Sequence, residues 1–168
     1  MSTTMVAFFI ALRRPICYTL RQMKISARTR YGLRILLDIA QHMQNESPRT
    51  IGAIASSQDI SAAFISRLAV PLKRARIINA ERGVGGGLRL ARPPEDITLL
   101  DISRTLNGPV SVLKCISAPK TCKRHAKCPA RYIWTDLNAT IENALAAVTL
   151  ADVMNRTRLG NASGDCRL

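Results

Sequence analysis

The stretch Asp59–Ala75, DISAAFISRLAVPLKRA, with Glu81–Pro94, ERGVGGGLRLARPP, shortly after it, decides the fold. Ser61 is placed to cap a helix, because its side-chain oxygen can accept from a backbone N–H in the first turn. Phe64, Ile65, Leu68 and Leu72 then fall on one face at helical spacing, leaving Ser61, Ala63, Ser66 and Arg67 on or near the other. Before it, Thr50 caps a shorter helix with apolar Ile51, Ile54 and Ala55, and Ser56–Asp59 reads as a turn. A short helix, a tight turn and a second helix with small and polar outward residues make a helix-turn-helix, whose second helix enters the major groove of a duplex. Pro71 lacks a backbone donor, so a bend or a break is expected near Val70.

Ile77–Ala80 and Leu88–Leu90 are short apolar or alternating runs on either side of the glycine-rich stretch, the pattern of a β-hairpin. A phosphate-cradling enzyme loop should follow a strand and open a helix. Here LRLARPP follows, which cannot begin a helix cleanly, so the hairpin is read as a wing presenting Arg82 and Arg89. Upstream, MKISARTRYGLRILLDIAQHM has Ser26 as N-cap and Leu33, Leu36, Leu37 and Ala40 as an apolar stripe. Downstream, Thr98–Asp101 is a capping-box start for a short helix that Asn107-Gly108 closes.

Pro129 suits a first helical position, and Trp134, Leu137, Ile141, Ala144 and Val148 follow at intervals of 3, 4, 3 and 4 residues. That seam predicts a helix pairing with its copy in a homodimer, against the plainer reading that it packs on its own domain. Thr149–Asp152 starts a last short helix, and Arg156–Leu168 lacks a core pattern. The fold class is therefore mainly α: a winged helix-turn-helix with a small β-hairpin wing and a long C-terminal helix.

The 168 residues are 47% apolar, enough for one core, and carry a net charge of +14. That charge is uneven: Met23–Arg92 holds +8, Pro93–Val110 −2, and Ser111–Arg131 +6 with no acidic residue. Such a basic balance points to a polyanion, with double-stranded DNA first. The cations do not line one long amphipathic helix, so a membrane surface is not expected. With only 4% aromatics, single-strand RNA recognition by stacking ranks behind duplex DNA. Two histidines and no paired carboxylates in a plausible site argue against an enzyme. The run Met5–Leu12 is too short to span a membrane, its arginines follow it, and five cysteines form no even framework, so a cytoplasmic location is expected.

Three of the five cysteines fall in CISAPKTCKRHAKC, Cys115–Cys128, spaced C-x6-C-x5-C among Lys114, Lys123, Arg124 and Lys127. This is a setting for thiolate chemistry. Zinc could be held by Cys115, Cys122, His125 and Cys128, although structural zinc prefers tighter knuckles, and reversible thiol oxidation is a third reading.

From Met23 to about Asn155 the chain resembles the IscR/NsrR-type family of bacterial iron-sulfur winged-helix transcription regulators, also called the Rrf-two family. The matching stretches are MKISARTRYGLRILLDIA, DISAAFISRLAVPLKRA, ERGVGGGLRLARPPEDITLLDI and the three cysteines before YIWTDLNATI. The resemblance implies a homodimer on a palindromic operator, with a [2Fe-2S] or [4Fe-4S] cluster on Cys115, Cys122 and Cys128 sensing iron-sulfur status, redox stress or nitric oxide. It implies an unassigned fourth ligand, since Arg131 stands where some members have His; His125 is a candidate. It also places Ser61, Ala63, Ser66 and Arg67 at base edges, and Arg28, Lys73 and Arg82 on the backbone. The expected organisation is a disordered extension (1–22), a DNA-binding domain (23–96), a cysteine segment with dimerisation helices (97–155) and a disordered tail (156–168). Arg76 stands where relatives usually have a helix-ending Gly, which predicts local strain.

Overall fold

The computed structural model describes residues 25–43, 47–83 and 85–163, with side chains to 157. Cys17, Cys166 and the expectations for 1–22 and 164–168 lie outside them. Seven helices and one hairpin follow in order: α1 Ala27–His42, α2 Ile51–Gln58, α3 Ala62–Arg74, β1 Ile78–Glu81, β2 Gly87–Leu90, α4 Leu99–Asn107, α5 Lys114–Ser117, α6 Arg131–Ala146 and α7 Leu150–Ser163.

Side-chain caps set the starts of the first helices. Ser26, Thr50 and Ser61 each accept from the third backbone N–H onward, and Thr98 forms the full capping box with Asp101. The stripe on α1 is rotated from the expected one: Ile35, Leu36, Ile39 and Ala40 are buried, while Leu33 and Leu37 are only half-buried. Helix α2 extends through Ser56–Gln58, so the turn is shorter than expected, closing on Asp59 in the left-handed region at φ 53°.

Pro71 does not end α3. The helix runs on to Arg74, with Leu68 and Leu72 fully buried on either side, and their packing outweighs the lost hydrogen bond. Arg76 does take a positive φ, 54°, and Ile77 N–H then donates to Leu72 O at 3.0 Å. Arg76→Gly should therefore raise stability by about 1 kcal/mol, read as a higher denaturant midpoint at unchanged slope. An unchanged or lower midpoint would show that Arg76 adopts this conformation without cost.

The strands pair antiparallel, Ile78 with Leu90 and Glu81 with Gly87. A third segment missed in the sequence joins them: Arg49 and Leu88 exchange both backbone hydrogen bonds, at 3.0 and 2.8 Å. This needs Gly87, where an added Cβ would come within 2.7 Å of the Arg49 backbone. The wing is thus stitched to the segment that leads into α2.

One core takes in Ile54, Ile65, Leu68, Leu72, Ile77 and Ile78 together with Ile97, Ile102, Leu106 and Leu150. It crosses the expected boundary at 96/97. Leu150 N–H donates to Ile97 O at 2.8 Å and Leu99 N–H to Val148 O at 2.9 Å, so the start of α7 is sewn to the start of α4. Helix α7 carries the chain as far as Ser163, beyond Arg156 where the apolar pattern fades.

A polar knot the sequence did not announce joins α1 to α2. Asp38, 3% exposed, accepts from Arg49 Nε at 2.8 Å, Gln58 Nε2 at 3.0 Å and the Ser57 hydroxyl. Burial pushes its carboxyl up, but these hydrogen bonds and the Arg49 charge hold it below the usual range.

Candidate nucleic-acid interface and cysteine segment

The outward face of α3 carries Ala63, Ser66, Arg67 and Val70, all exposed. Ser66 donates its hydroxyl to Ala62 O at 2.9 Å and keeps its lone pairs outward. Ser61 accepts from Phe64 N–H at 3.3 Å and keeps its hydroxyl proton. Arg67 lies over the Phe64 ring, 5.6 Å from its centroid. Val70, 51% exposed, is a member of this face that the sequence reading missed. Its position four residues after Ser66 was the available signal, and its methyls suit contact with a thymine methyl.

Arg82 at the wing tip, Lys73 at the end of α3 and Arg28 on α1 are all exposed. Arg28 also donates from Nη1 to Leu106 O at 3.3 Å, where a cation meets the carbonyl end of α4. It ties α1 to α4 together with Ser26, which donates to Asn107 Oδ1 at 2.6 Å. Arg89 is paired across the hairpin with Glu81 at 2.9 Å, so its charge is largely used within the wing.

Between α4 and α6 the chain runs as α5 and two 3-10 turns, Pro119–Thr121 and His125–Lys127. Its backbone hydrogen bonds are short-range: Ala118 N–H to Lys114 O at 2.8 Å, Cys122 N–H to Pro119 O at 3.2 Å, His125 N–H to Cys122 O at 3.0 Å. Cys115, Cys122 and Cys128 are free thiols, half-buried, as is His125. Among the described residues no group of three or more His, Cys, Asp or Glu side chains is gathered to hold a metal ion. The three cysteines and His125 are therefore close in sequence but not assembled. Lys114, Lys120, Lys123, Arg124, Lys127 and Arg131 all face solvent around them.

Asn138, buried on α6, holds the start of this segment. Its Oδ1 accepts from Val112 N–H at 3.1 Å and its Nδ2 donates to Val110 O at 3.4 Å. Four residues on, Glu142 pairs with Arg104 of α4 at 2.8 Å. Before Asn138 the helix stands clear: every residue from Arg131 to Leu137 is exposed, including Ile133 at 68%, Leu137 at 41% and Trp134 at 39%. Of the expected seam Trp134, Leu137 and Ala144 are exposed, whereas Ile141 and Val148 are half-buried. The helix begins at Arg131, two residues later than Pro129.

No described helix is long and apolar enough to cross a membrane. Residues 25–156 match the family model described as Rrf2, iron-dependent transcriptional regulator. The protein rrf2 of Nitratidesulfovibrio vulgaris is 36% identical over 137 residues, 82% of this chain and 91% of that one. Among solved structures, CymR, the global cysteine regulator of B. subtilis, superposes with a TM-score of 0.66 at 30% identity, over 79% of this chain and 97% of its own. IscR of T. potens gives 0.63 at 29% identity, over 81% and 89%. With a capped recognition helix, a stitched wing and this extent of match, the chain belongs to the Rrf2 family of DNA-binding transcriptional regulators.

Proposed function

We propose that this chain is a cytoplasmic homodimer that binds a palindromic operator and whose affinity is set by an iron-sulfur cluster, [2Fe-2S] or [4Fe-4S], at Cys115, Cys122 and Cys128. The observation that carries the regulator is the exposed Ala63–Ser66–Arg67–Val70 face of α3, framed by a wing fixed to the same core. Two such faces, set apart by paired α6 helices, would enter successive major grooves. Arg67 reads guanine, Ser61 and Ser66 offer one donor and one acceptor, and Lys73 and Arg82 hold phosphates.

The donor set suits a cluster chemically: three thiols free of disulfide, one imidazole nearby, and no competing carboxylate in the segment. Gathering them disturbs short-range turns and no core packing, because the segment's own hydrogen bonds bridge neighbours. A bound cluster supplies a centre whose charge and integrity respond to oxidant, iron supply or nitric oxide. This chain's residues convert that into affinity. Asn138 anchors one end of the segment, and the other end continues into the exposed half of α6. Tightening or loosening the segment shifts that half-helix and with it the separation of the two reading heads; a tenfold change in affinity needs only about 1.4 kcal/mol.

In a second reading thiol oxidation without a cluster, or a bound zinc ion, does the switching at the same residues. Anaerobic purification with visible spectroscopy and iron, sulfide and zinc analysis separates them. Iron and sulfide with a charge-transfer spectrum are expected; colourless protein with stoichiometric zinc overturns the cluster. Cys122→Ala should remain a folded dimer, and the roughly tenfold difference in operator affinity between reconstituted and metal-free wild type should vanish in it. An unfolded variant would assign the cysteines a structural metal instead.

A further inference from the structure

Arg30, Tyr31 and Phe64 take no part in the reading above, yet they meet at the junction of α1 and α3. The Tyr31 and Phe64 rings stand edge to face, centroids 5.6 Å apart and planes at 87°, both packed against the margin of the core. Three guanidinium groups lie on these two rings: Arg67 over Phe64 at 5.6 Å, and Arg30 and Arg34 over Tyr31 at 5.2 and 5.5 Å. Arg34 is used internally, donating to Gln58 O at 2.5 Å and to Gln58 Oε1 at 3.2 Å, where it neutralises the carbonyl end of α2. Arg30 and Arg67 are exposed, and among the described residues their guanidinium groups touch only the rings.

We propose that the Tyr31–Phe64 pair is a positioning platform that holds Arg67 ready for base readout and adds Arg30 to the duplex contacts as a phosphate ligand. The inference rests on the reading of α3 as the helix that enters the major groove. An arginine that must freeze several rotors to make a bidentate contact binds weakly for its charge. A guanidinium already held over an aromatic ring has fewer rotors to freeze, and with no hydrogen bond to its N–H groups among the described residues, Arg67 keeps them open to an acceptor pair. Phe64 precedes Arg67 by three residues on the same helix, and Tyr31 braces Phe64 from α1, so the ring cannot tilt away. The same Tyr31 ring carries Arg30 on the neighbouring helix, outside the reading face, where phosphate is the available acceptor. Phe64 and Tyr31 thus act through the arginines.

The test uses the full chain and a duplex recovered by selection from a random-sequence library. Arg67→Ala should lower discrimination at one G·C pair by about tenfold. Phe64→Leu, which keeps the apolar contact and removes the ring, should lose several-fold discrimination at that same pair with its thermal midpoint nearly unchanged. The double variant should be no worse than Arg67→Ala alone. Arg30→Ala should weaken selected and random duplexes alike and flatten the salt dependence. The inference is overturned if Phe64→Leu weakens both duplexes by the same factor, or if its effect multiplies with that of Arg67→Ala. Wild-type discrimination in Phe64→Leu overturns it too, while leaving the regulator reading intact. Recovery of no preferred duplex would sink that reading, and this inference with it.

Discussion

Leu137→Glu should give a folded monomer that binds the selected operator at least about 100-fold more weakly than the wild type. Leu137 is 41% exposed in the middle of an apolar stripe with Ile133, Ile141 and Ala144, on a helix whose residues from Arg131 to Leu137 are all exposed. Contiguous apolar surface of this kind marks an interface, and a carboxylate placed there has no cation within the stripe to pair with. In the proposed dimer each protomer carries one recognition helix, so breaking the pair removes the gain from holding two half-sites at once, which runs to about 10²–10⁴ in linked binders. Sedimentation measures the mass and fluorescence anisotropy the affinity. A dimer with wild-type affinity would show that α6 is not the seam.

Asp38→Asn should cost about 3 kcal/mol, lowering the thermal midpoint by roughly 10 °C. The amide keeps the shape but presents an N–H₂ where the carboxylate accepted from Arg49, Ser57 and Gln58, leaving a buried donor facing donors. The same residue sets an acid limb. Its carboxyl is held below the ordinary range in the folded chain, so its contribution is complete above the unfolded value near pH 4 and is lost as the pH falls through the folded value. The variant should therefore show a flatter loss of stability below about pH 4. Equal slopes in wild type and variant would exclude Asp38 as the group responsible.

Much of the reading helix was legible because its determinants are local. Ser26, Thr50, Ser61 and Thr98 declare helix starts within a few residues, and the 3.6-residue period of Ile65, Leu68 and Leu72 declares a buried face. The strained Arg76 was legible only through the family resemblance, in which a Gly usually ends this helix. What escaped was set by partners distant in sequence. Arg49 contributes a single-residue β-bridge too short to show alternation, and it exists only because Gly87 lets it approach. Asp38 looks like a surface charge until α2 covers it. Pro71 carries a strong local signal that the buried leucines around it overrule. In the interface, the exposed α3 face was readable, whereas the hydrogen bond from Arg28 to Leu106 O depended on the end of α4. The cysteines were conspicuous as residue types, but their spacing does not say whether the chain gathers them.

Asn138 has a consequence for how such a protein diversifies. Among the described residues the buried core contains no side chain from the cysteine segment, and Asn138 ties the segment's start to α6, so its length and composition are only loosely coupled to the packing of the reader. Lineages can exchange the detector while the operator-reading half is kept, and selection on the signal and selection on the operator act on separable parts of the chain.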